Sequence, residues 1–403
     1  LLESLQEDPP GSVQEAVETI ERTVPQLNAS NSAVALASAG VVLTALEHVE
    51  RAGAGQAGID PAEVRKKLAE PFFAVASFPP DLQYAALRCA RLLAQDHPEI
   101  LRERIGVKAF FCKYNDPLFV KLEKVSLLMV LAEEACAEEV LVELEEYAQE
   151  VEVGFSQKAI RAIGQLAVKL PGAANACVNK LSVLVKRGVE HIVLESIVVI
   201  MDILRKYPNQ YEGIVIPLLC DNVEDLANPR AKAAMIWLVG EYAERIEDAD
   251  DLLEYFSDGF ADETAPVQLA TLTALAKLFL KVGEAPKSSA LLQAVLRQAT
   301  EECDNPDVRD RAMMYWRMLS QDAGLAAAVV LAPHPTPAGQ TADRIDAALC
   351  SKLVTQIPKA SSVFYKLPGQ FTTFRRVDAG SVPPSPYHSP MPSGTWDLLG
   401  EPT

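Results

Sequence analysis

The segment GAGQAG at residues 53–58 has the glycine spacing G-x-G-x-x-G, which in dinucleotide-binding proteins lets the backbone approach a pyrophosphate. That chemistry requires a β-strand immediately before the glycines and an acidic residue about 20 residues later. The preceding residues, VVLTALEHVERA at 41–52, instead have the composition of a helix. We therefore predict a surface loop here and not a nucleotide site.

A run rich in carboxylates, EEACAEEVLVELEEYAQEVE, occupies residues 133–152. Paired carboxylates can transfer protons or bind a metal ion. However, an apolar stripe at helical spacing runs between them, formed by Leu141, Leu144, Tyr147 and Ala148. The run is therefore predicted to be the solvated face of a helix, and a surface for a basic partner stays open as the alternative.

The residue types that most often bind metals or act as nucleophiles are isolated along the chain. Seven cysteines are scattered without a C-x-x-C pair, and none of the five histidines lies four residues from another. The local signatures of P-loop proteins, serine hydrolases and kinases are missing as well. We predict no metal site, no cofactor and no enzymatic activity, although a catalytic group assembled from distant residues stays open. The cysteines are typical of a cytosolic protein that uses them as small buried apolar residues.

A bulky cluster near the end of the chain lies in a segment rich in Pro, Ser and Gly, and consists of Trp396, Asp397, Leu398 and Leu399. Such a segment cannot bury enough surface to fold alone, so residues 375–403 are predicted to be a disordered tail. Aromatic and leucine side chains in flexible chain are what a short linear motif uses to fill a groove on a partner. The cluster is therefore a candidate binding motif, with chance or docking onto the protein itself as the open alternative.

The formal charge of −18 over 403 residues argues against nucleic acid as a partner and against a broad basic membrane surface. The longest apolar stretch, at 33–46, is interrupted by Ser38, Gly40 and Thr44, and falls short of the roughly 18 residues that span a bilayer. The opening residues LLESLQEDPP carry acid where a signal peptide carries base, and the first residue is not Met. We expect a fragment or a processed form of a longer protein.

A helix-forming pattern repeats along the chain with a nearly constant period. A short polar turn followed by an apolar helix restarts near residues 81, 116, 153, 190, 228, 265 and 305, at intervals of 35 to 40 residues. This period is close to that of two-helix HEAT or armadillo units, which stack into a solenoid. Because Ala, Leu and Val also dominate the composition, we predict an all-α fold, an α-solenoid of two-helix repeats.

The helix predicted over residues 228–248 carries apolar side chains on more of its circumference than one neighbour can cover. Beside its main apolar stripe lie Ile236 and Trp237, with Gly240 one turn later. A helix inside a solenoid packs against the repeats before and after it. We therefore predict Trp237 at the contact with an adjacent repeat and a close helix approach at Gly240.

The same helix has a start signal and a charge pair. Asn228 can cap the first turn, and Pro229 fits the position where its missing N–H costs nothing. Glu241 and Arg245 are four residues apart, a spacing that favours an ion pair on one helix face.

These patterns divide the chain into three parts. Residues 1–332 are predicted to form the solenoid trunk, in which the residues before 81 supply one or two less regular repeats. Residues 333–374 are predicted to be a C-terminal capping segment, with a short closing helix and an apolar strip at 361–374 that packs over the last repeat. The predicted tail follows.

Several of the repeat segments resemble the trunk of a β-adaptin, the large β subunit of the clathrin-associated adaptor protein complexes. The resemblance rests on long stretches, among them FFCKYNDPLFVKLEKVSLLMVLA, AAMIWLVGEYAERIEDADDLLEYF and DNPDVRDRAMMYWRMLS. It extends over residues 1–372. It implies an α-solenoid that pairs with a second large adaptin, cradles a medium and a small subunit, and helps to select vesicle cargo in clathrin-mediated intracellular transport.

The resemblance also implies partners and a site. The partners would be the other adaptor subunits and clathrin, with cargo receptors and a membrane reached through the complex, on coated vesicles of the Golgi, endosomes or plasma membrane. The family's hinge carries clathrin-binding boxes, and TWDLLG resembles a tryptophan-type box in which Trp396, Asp397 and Leu398 match while Leu399 replaces an aromatic residue. The family's N-terminal trunk part and its appendage are expected to lie outside this sequence. Another HEAT-repeat scaffold, such as a nuclear transport receptor, is the alternative.

Overall fold

The computed structural model describes residues 10–52, 59–73, 78–220, 226, 228–283, 286–333, 344–357 and 359–371. Within these ranges the secondary structure consists of helices and turns without a β-strand, which confirms the predicted all-α class. The α-helices, in chain order, are α1 Val13–Thr23, α2 Ser32–Ala52, α3 Pro61–Lys67, α4 Glu70–Phe73, α5 Pro80–Asp96, α6 Pro98–Ile105, α7 Leu118–Leu131, α8 Ala137–Tyr147, α9 Val153–Lys169, α10 Ala174–Lys186, α11 Glu190–Lys206, α12 Glu212–Cys220, α13 Pro229–Glu241, α14 Ala249–Ser257, α15 Ala265–Val282, α16 Pro286–Glu301, α17 Pro306–Gln321, α18 Ala323–Val330, α19 Ala347–Val354, α20 Ala360–Val363 and α21 Pro368–Phe371.

From α5 to α18 the helices alternate between two layers. The first layer contains the odd-numbered helices α5 to α17, and each of them packs on the next odd-numbered helix. The second layer contains the even-numbered helices α6 to α18, which contact one another less. Each second-layer helix packs on the first-layer helix before it, except α8, which packs on α9, the first-layer helix after it. This arrangement is the predicted two-helix solenoid.

The first-layer helices begin within two residues of the predicted restarts. Local capping explains this agreement at α13 and α17. Asn228 accepts a hydrogen bond from the backbone N–H of Arg230, and Asn305 accepts one from that of Asp307, each at 2.9 Å. Pro229 and Pro306 then occupy the first helical position, where proline is best tolerated.

Two first-layer helices, α13 and α15, approach closely at Gly240, as predicted. A Cβ atom on Gly240 would lie 2.5 Å from the Cα atom of Ala274 on α15. Ile236 is fully buried, whereas Trp237 is only partly buried between repeats. The expected Glu241–Arg245 pair is wrong: Glu241 pairs with Lys277 of the following repeat and Arg245 pairs with Glu212 of the preceding one. Contacts between repeats therefore replace the local i, i+4 pair.

Side chains at the end of one first-layer helix cap the C-terminal end of the helix before it. Carbonyl oxygens at a helix end have no partner within the helix and attract cations and donors. Three junctions show such capping by the following repeat. Lys169 donates to the carbonyls of Met129, Val130 and Ala132 at 2.7, 3.0 and 2.9 Å, the Tyr207 hydroxyl donates to that of Ala167 at 2.9 Å, and Lys281 donates to that of Glu241.

The residues after the trunk, 344–357 and 359–371, are here called the closing segment. Its helices α19 and α20 pack on α5, near the start of the array, so the expectation that this part of the chain covers the last repeat is wrong. Apolar burial drives the contact, since Leu353, Val354 and Ile357 are fully buried. The guanidinium of Arg88 on α5 also lies 3.7 Å from the ring centroid of Tyr365.

The position of the closing segment shows that the array curves. Six helix-to-helix steps of about 8–10 Å would separate α5 from α17 by roughly 50–60 Å in a straight stack. The chain between Pro333, just after α18, and Arg344, beside α5, can span at most about 40 Å. The two ends of the array are therefore closer than a straight solenoid would allow.

Two described helices, Ser32–Arg51 and Ala265–Val282, are long and apolar enough to cross a membrane by length and composition. The expectation that no segment reaches that length is therefore wrong. In this structure both pack among other helices, with 61% and 50% of their residues buried. The burial is typical of core helices in a repeat array.

Candidate partner-binding surfaces

Two of the sequence candidates cannot be placed. The cluster Trp396, Asp397, Leu398 and Leu399 lies outside the described residues, and so does GAGQAG at 53–58. The remaining candidates and the surfaces that the structure adds belong to the trunk and the closing segment.

The acidic run at 133–152 forms a largely solvated helix face, as predicted. Leu141, Leu144, Tyr147 and Ala148 are all buried beneath it. Several of its carboxylates bind cations of neighbouring helices, as Glu145 binds Lys180 at 2.6 Å. Among the described residues no three His, Cys, Asp or Glu side chains form a metal-binding group.

The buried thiols are chemically unreactive. Burial raises the pKa of Cys89, Cys112 and Cys177 to about 12 and that of Cys350 to about 11. A thiol needs a lowered pKa to act as a nucleophile near neutral pH. These cysteines therefore serve as small apolar residues in the repeat cores.

Large apolar side chains are exposed on the last helix pair, α17 and α18. We call this set the end surface: it contains Met313, Met314, Trp316, Leu325 and Val329, which are 43%, 41%, 45%, 53% and 49% exposed. In a solenoid the next repeat normally covers such side chains. The end surface is therefore a candidate contact surface.

Beside the end surface, Trp316 lines a cavity of about 270 Å³ between α15, α16 and α17. Phe279, Leu292 and Leu296 supply its apolar wall, and Arg297 and Ser320 supply polar groups. The combination of an aromatic side chain, an apolar wall and a few polar groups is typical of a pocket that receives a side chain of a partner.

A second groove, of about 370 Å³, crosses the first layer at Trp237. The guanidinium of Arg205 lies 4.7 Å from the Trp237 ring centroid and the Lys277 ammonium lies 5.9 Å from it. Arg230 lines the same groove. The groove therefore combines an aromatic floor with cations that are already paired, Lys277 with Glu241 and Arg205 with Asp202.

Comparison with known proteins identifies the family. The profile of the family described as "Adaptin N terminal region" matches residues 1–323. This chain belongs to the adaptin family. The match covers all the described helices of the trunk up to α17, including the Trp237 groove.

The most similar relatives of this adaptin include β subunits from several organisms. It is 46% identical over 386 residues to "AP-1 complex subunit beta-1" of Mus musculus, and the aligned region covers 95% of this chain and 40% of that protein. It is 44% identical over 377 residues to "AP-1 complex subunit beta" of Dictyostelium discoideum, and the aligned region covers 93% of this chain and 38% of that protein. It is 35% identical over 295 residues to "AP-2 complex subunit beta" of Schizosaccharomyces pombe, and the aligned region covers 73% of this chain and 43% of that protein. These matches confirm the resemblance to a β-adaptin trunk.

The adaptin chain spans about two fifths of the length of these relatives. Its fold is similar to a chain of a structure described as "Homology model of the full-length AP-3 complex in an intermediate open conformation". The TM-score is 0.50 and the identity 18%, with 74% of this chain and 53% of that chain covered. At this identity the likeness supports the fold alone, and it agrees with the solenoid arrangement.

The end surface of this adaptin was not predicted from the sequence, although a signal was present. On α17 the buried stripe is formed by Val308, Ala312 and Tyr315, and Met313 and Met314 lie on the other side of the helix. As on the helix that carries Trp237, apolar side chains cover more of the circumference of α17 than one neighbouring helix can bury. This pattern would have predicted exposed apolar side chains on α17.

Proposed function

We propose that this adaptin chain is a non-catalytic scaffold subunit of a vesicle-coat adaptor complex. In that role it pairs with a second large subunit, a medium subunit and a small subunit, and links cargo to clathrin in intracellular protein transport. The complex would work in the cytoplasm, attached peripherally to Golgi, endosomal or plasma-membrane coated vesicles. The observation that carries the proposal is the 44% to 46% identity to AP-1 β subunits over more than nine-tenths of the chain.

The end surface supports a scaffold role on physical grounds. Exposed Met, Trp, Leu and Val side chains gain free energy when a partner removes them from water, at about 25 cal/mol for each Å² of apolar area. The rest of the trunk supplies rigidity, because each repeat is joined to the next by burial and by hydrogen bonds to helix ends.

Assembly can be tested by co-expression with candidate second large, medium and small adaptins, followed by size-exclusion chromatography. We expect one particle of fixed stoichiometry. Leu325→Asp places a charge on the end surface and should abolish or weaken co-elution. Val142→Asp is the matched control, because Val142 is 46% exposed on α8, away from that surface. Elution of the wild-type chain alone, with a cooperative melt, would contradict the proposal.

The link to clathrin is proposed to run through Trp396, Asp397, Leu398 and Leu399. Weak motifs on a flexible tail gain strength by multivalency in a coat lattice. The double variant Trp396→Ala plus Leu398→Ala should reduce clathrin retention by an immobilised tail. A tail carrying Tyr387→Ala plus Met391→Ala should retain clathrin as wild type does. Equal retention by all three tails would overturn this assignment.

A further inference from the structure

A cavity of about 210 Å³ lies where the closing segment meets the trunk. Three cationic side chains line it, each from a different part of the chain: Arg102 on α6, Lys169 on α9 and Arg344 on the closing segment. Met129 and Val130 of α7 contribute apolar surface. Three positive charges therefore converge on a space of molecular size.

Two of the three cations are fixed in place by the C-terminal end of α7. Lys169 uses its three N–H groups on the carbonyls described above, and Arg102 donates from Nε to the Leu131 carbonyl and from Nη2 to the Val130 carbonyl, both at 3.2 Å. These bonds use two of the five N–H groups of Arg102, and its Nη1 also pairs with Glu133. Arg344 brings the N–H groups of a second guanidinium to the cavity. Lys169 contributes its charge.

The third cation is positioned by the closing segment. The side-chain amide of Gln95 on α5 donates to the carbonyl of Ile345 at 2.5 Å and accepts from the Ile345 backbone N–H at 3.2 Å. This two-bond clamp holds the neighbouring Arg344 at the cavity mouth, where its side chain is exposed. The cavity is complete only when the closing segment is docked.

The charges in the cavity are not balanced. Among the described side chains that line the cavity, three are cationic and none is acidic, while Glu133 pairs with Arg102 and raises the pKa of Lys169, so it offsets part of their positive charge. Burial lowers the pKa of Lys169 to about 8, and repulsion by Arg102 and Arg344 acts in the same direction. A bound anion would relieve this repulsion.

We propose that this cavity binds a phosphate group, with Arg102 and Arg344 donating to its oxygens and Lys169 supplying charge. A phosphate matches the site because guanidinium groups donate paired N–H groups to phosphate oxygens. Its charge of up to −2 is opposite in sign to the three cations that line the cavity. This inference concerns the junction of trunk and closing segment and does not depend on the proposed adaptor role.

The test is titration of the whole chain with inorganic pyrophosphate by isothermal calorimetry. Arg344→Glu should weaken binding roughly ten- to hundredfold, the size of one or two lost charge-assisted hydrogen bonds. Arg344→Gln, which removes the guanidinium without adding a negative charge, should weaken it less. Lys352→Glu is the matched control, because Lys352 is exposed on α19 of the same segment and carries the same change of charge. It should bind as wild type does.

The outcomes separate a built site from diffuse attraction. No binding of pyrophosphate by the wild-type chain would overturn the proposal, and so would equal weakening by Arg344→Glu and Lys352→Glu. Flotation with phosphatidylcholine vesicles, with and without phosphatidylinositol bisphosphate, identifies the source of the phosphate. Vesicle binding that is lost in Arg344→Glu indicates a lipid headgroup, whereas pyrophosphate binding with no such vesicle binding indicates a soluble phosphate.

Discussion

Replacing Gly240 by alanine should loosen a tight backbone contact between two repeats. The added Cβ atom would lie 2.5 Å from the Cα atom and 2.6 Å from the Cβ atom of Ala274 on α15. Carbon atoms pack best at about 3.5–4.0 Å, so α13 and α15 would have to separate by roughly 1 Å. The clashing atoms include backbone, which cannot rotate away as the end of a long side chain could.

The free-energy cost follows from two opposing effects. Overpacking of a well-packed core costs about 1–3 kcal/mol, and a clash with backbone places Gly240→Ala near the upper end. Alanine in a helix interior recovers about 1 kcal/mol relative to glycine. We therefore expect the variant to be destabilised by about 2 kcal/mol.

Urea unfolding followed by circular dichroism measures this change. Alanine variants at two other glycines serve as comparisons. A Cβ atom on Gly164 would lie 2.3 Å from Cγ1 of the Val199 side chain, whereas one on Gly213 would meet nothing within 4 Å. Stability should therefore fall in the order Gly213→Ala, Gly164→Ala, Gly240→Ala. Hydrogen exchange in α13 and α15 should report the loosening even if the array unfolds in parts. Equal stability of Gly240→Ala and Gly213→Ala would refute the packing argument.

Three further variants test other contacts of the trunk. Trp237→Ala removes a partly exposed ring that stacks with Arg205, so it should lower the free energy of unfolding by about 1–3 kcal/mol. This is less than the roughly 3–5 kcal/mol expected for a fully buried aromatic residue. The midpoint of urea unfolding measures the change. The pKa of Lys169 is lowered in the folded chain from 10.5 to about 8, so the unfolded chain binds more protons between these two pH values. The free energy of unfolding of wild type, relative to that of Lys169→Met, should therefore rise with pH from about 8 to about 10.5. Thermal melts at increasing pH measure this difference. Leu353→Asp places a charge at a fully buried position and should release the closing segment to limited proteolysis, whereas cleavage after the exposed-site change Lys352→Asp should stay as in wild type.

The repeat architecture was predictable because its signals are local. A cap such as Asn228 with Pro229 fixes where a helix begins, and the apolar stripe of the same helix fixes which side is buried. Contacts between repeats were less predictable. The spacing of Glu241 and Arg245 favours a pair, yet each side chain finds a partner on a neighbouring repeat, where a less exposed environment strengthens the interaction.

The closing segment was the main structural surprise for the same reason. Its helix α19 was predicted from its sequence, but no local pattern states that Cys350, Leu353 and Val354 pack on α5, about 250 residues earlier. Only the curvature of the array makes that contact possible, and curvature is the sum of small rotations between repeats. The phosphate cavity could not be predicted for this reason, since Arg344 meets Arg102 and Lys169 only in the folded, curved array.

The docking of the closing segment changes how the array resists unfolding. In an open solenoid each repeat contacts only its neighbours, so a central repeat can loosen at the cost of two interfaces. Here the segment that follows α18 is held on α5 by buried side chains and by hydrogen bonds from Arg88 and Gln95 to Val363 and Ile345. Loosening a central repeat alters the curvature and so alters the contacts that hold the docked segment on α5. A ligand that favours docking at Arg344 would therefore stabilise the curvature of the whole trunk, and with it the positions of surfaces far from the cavity.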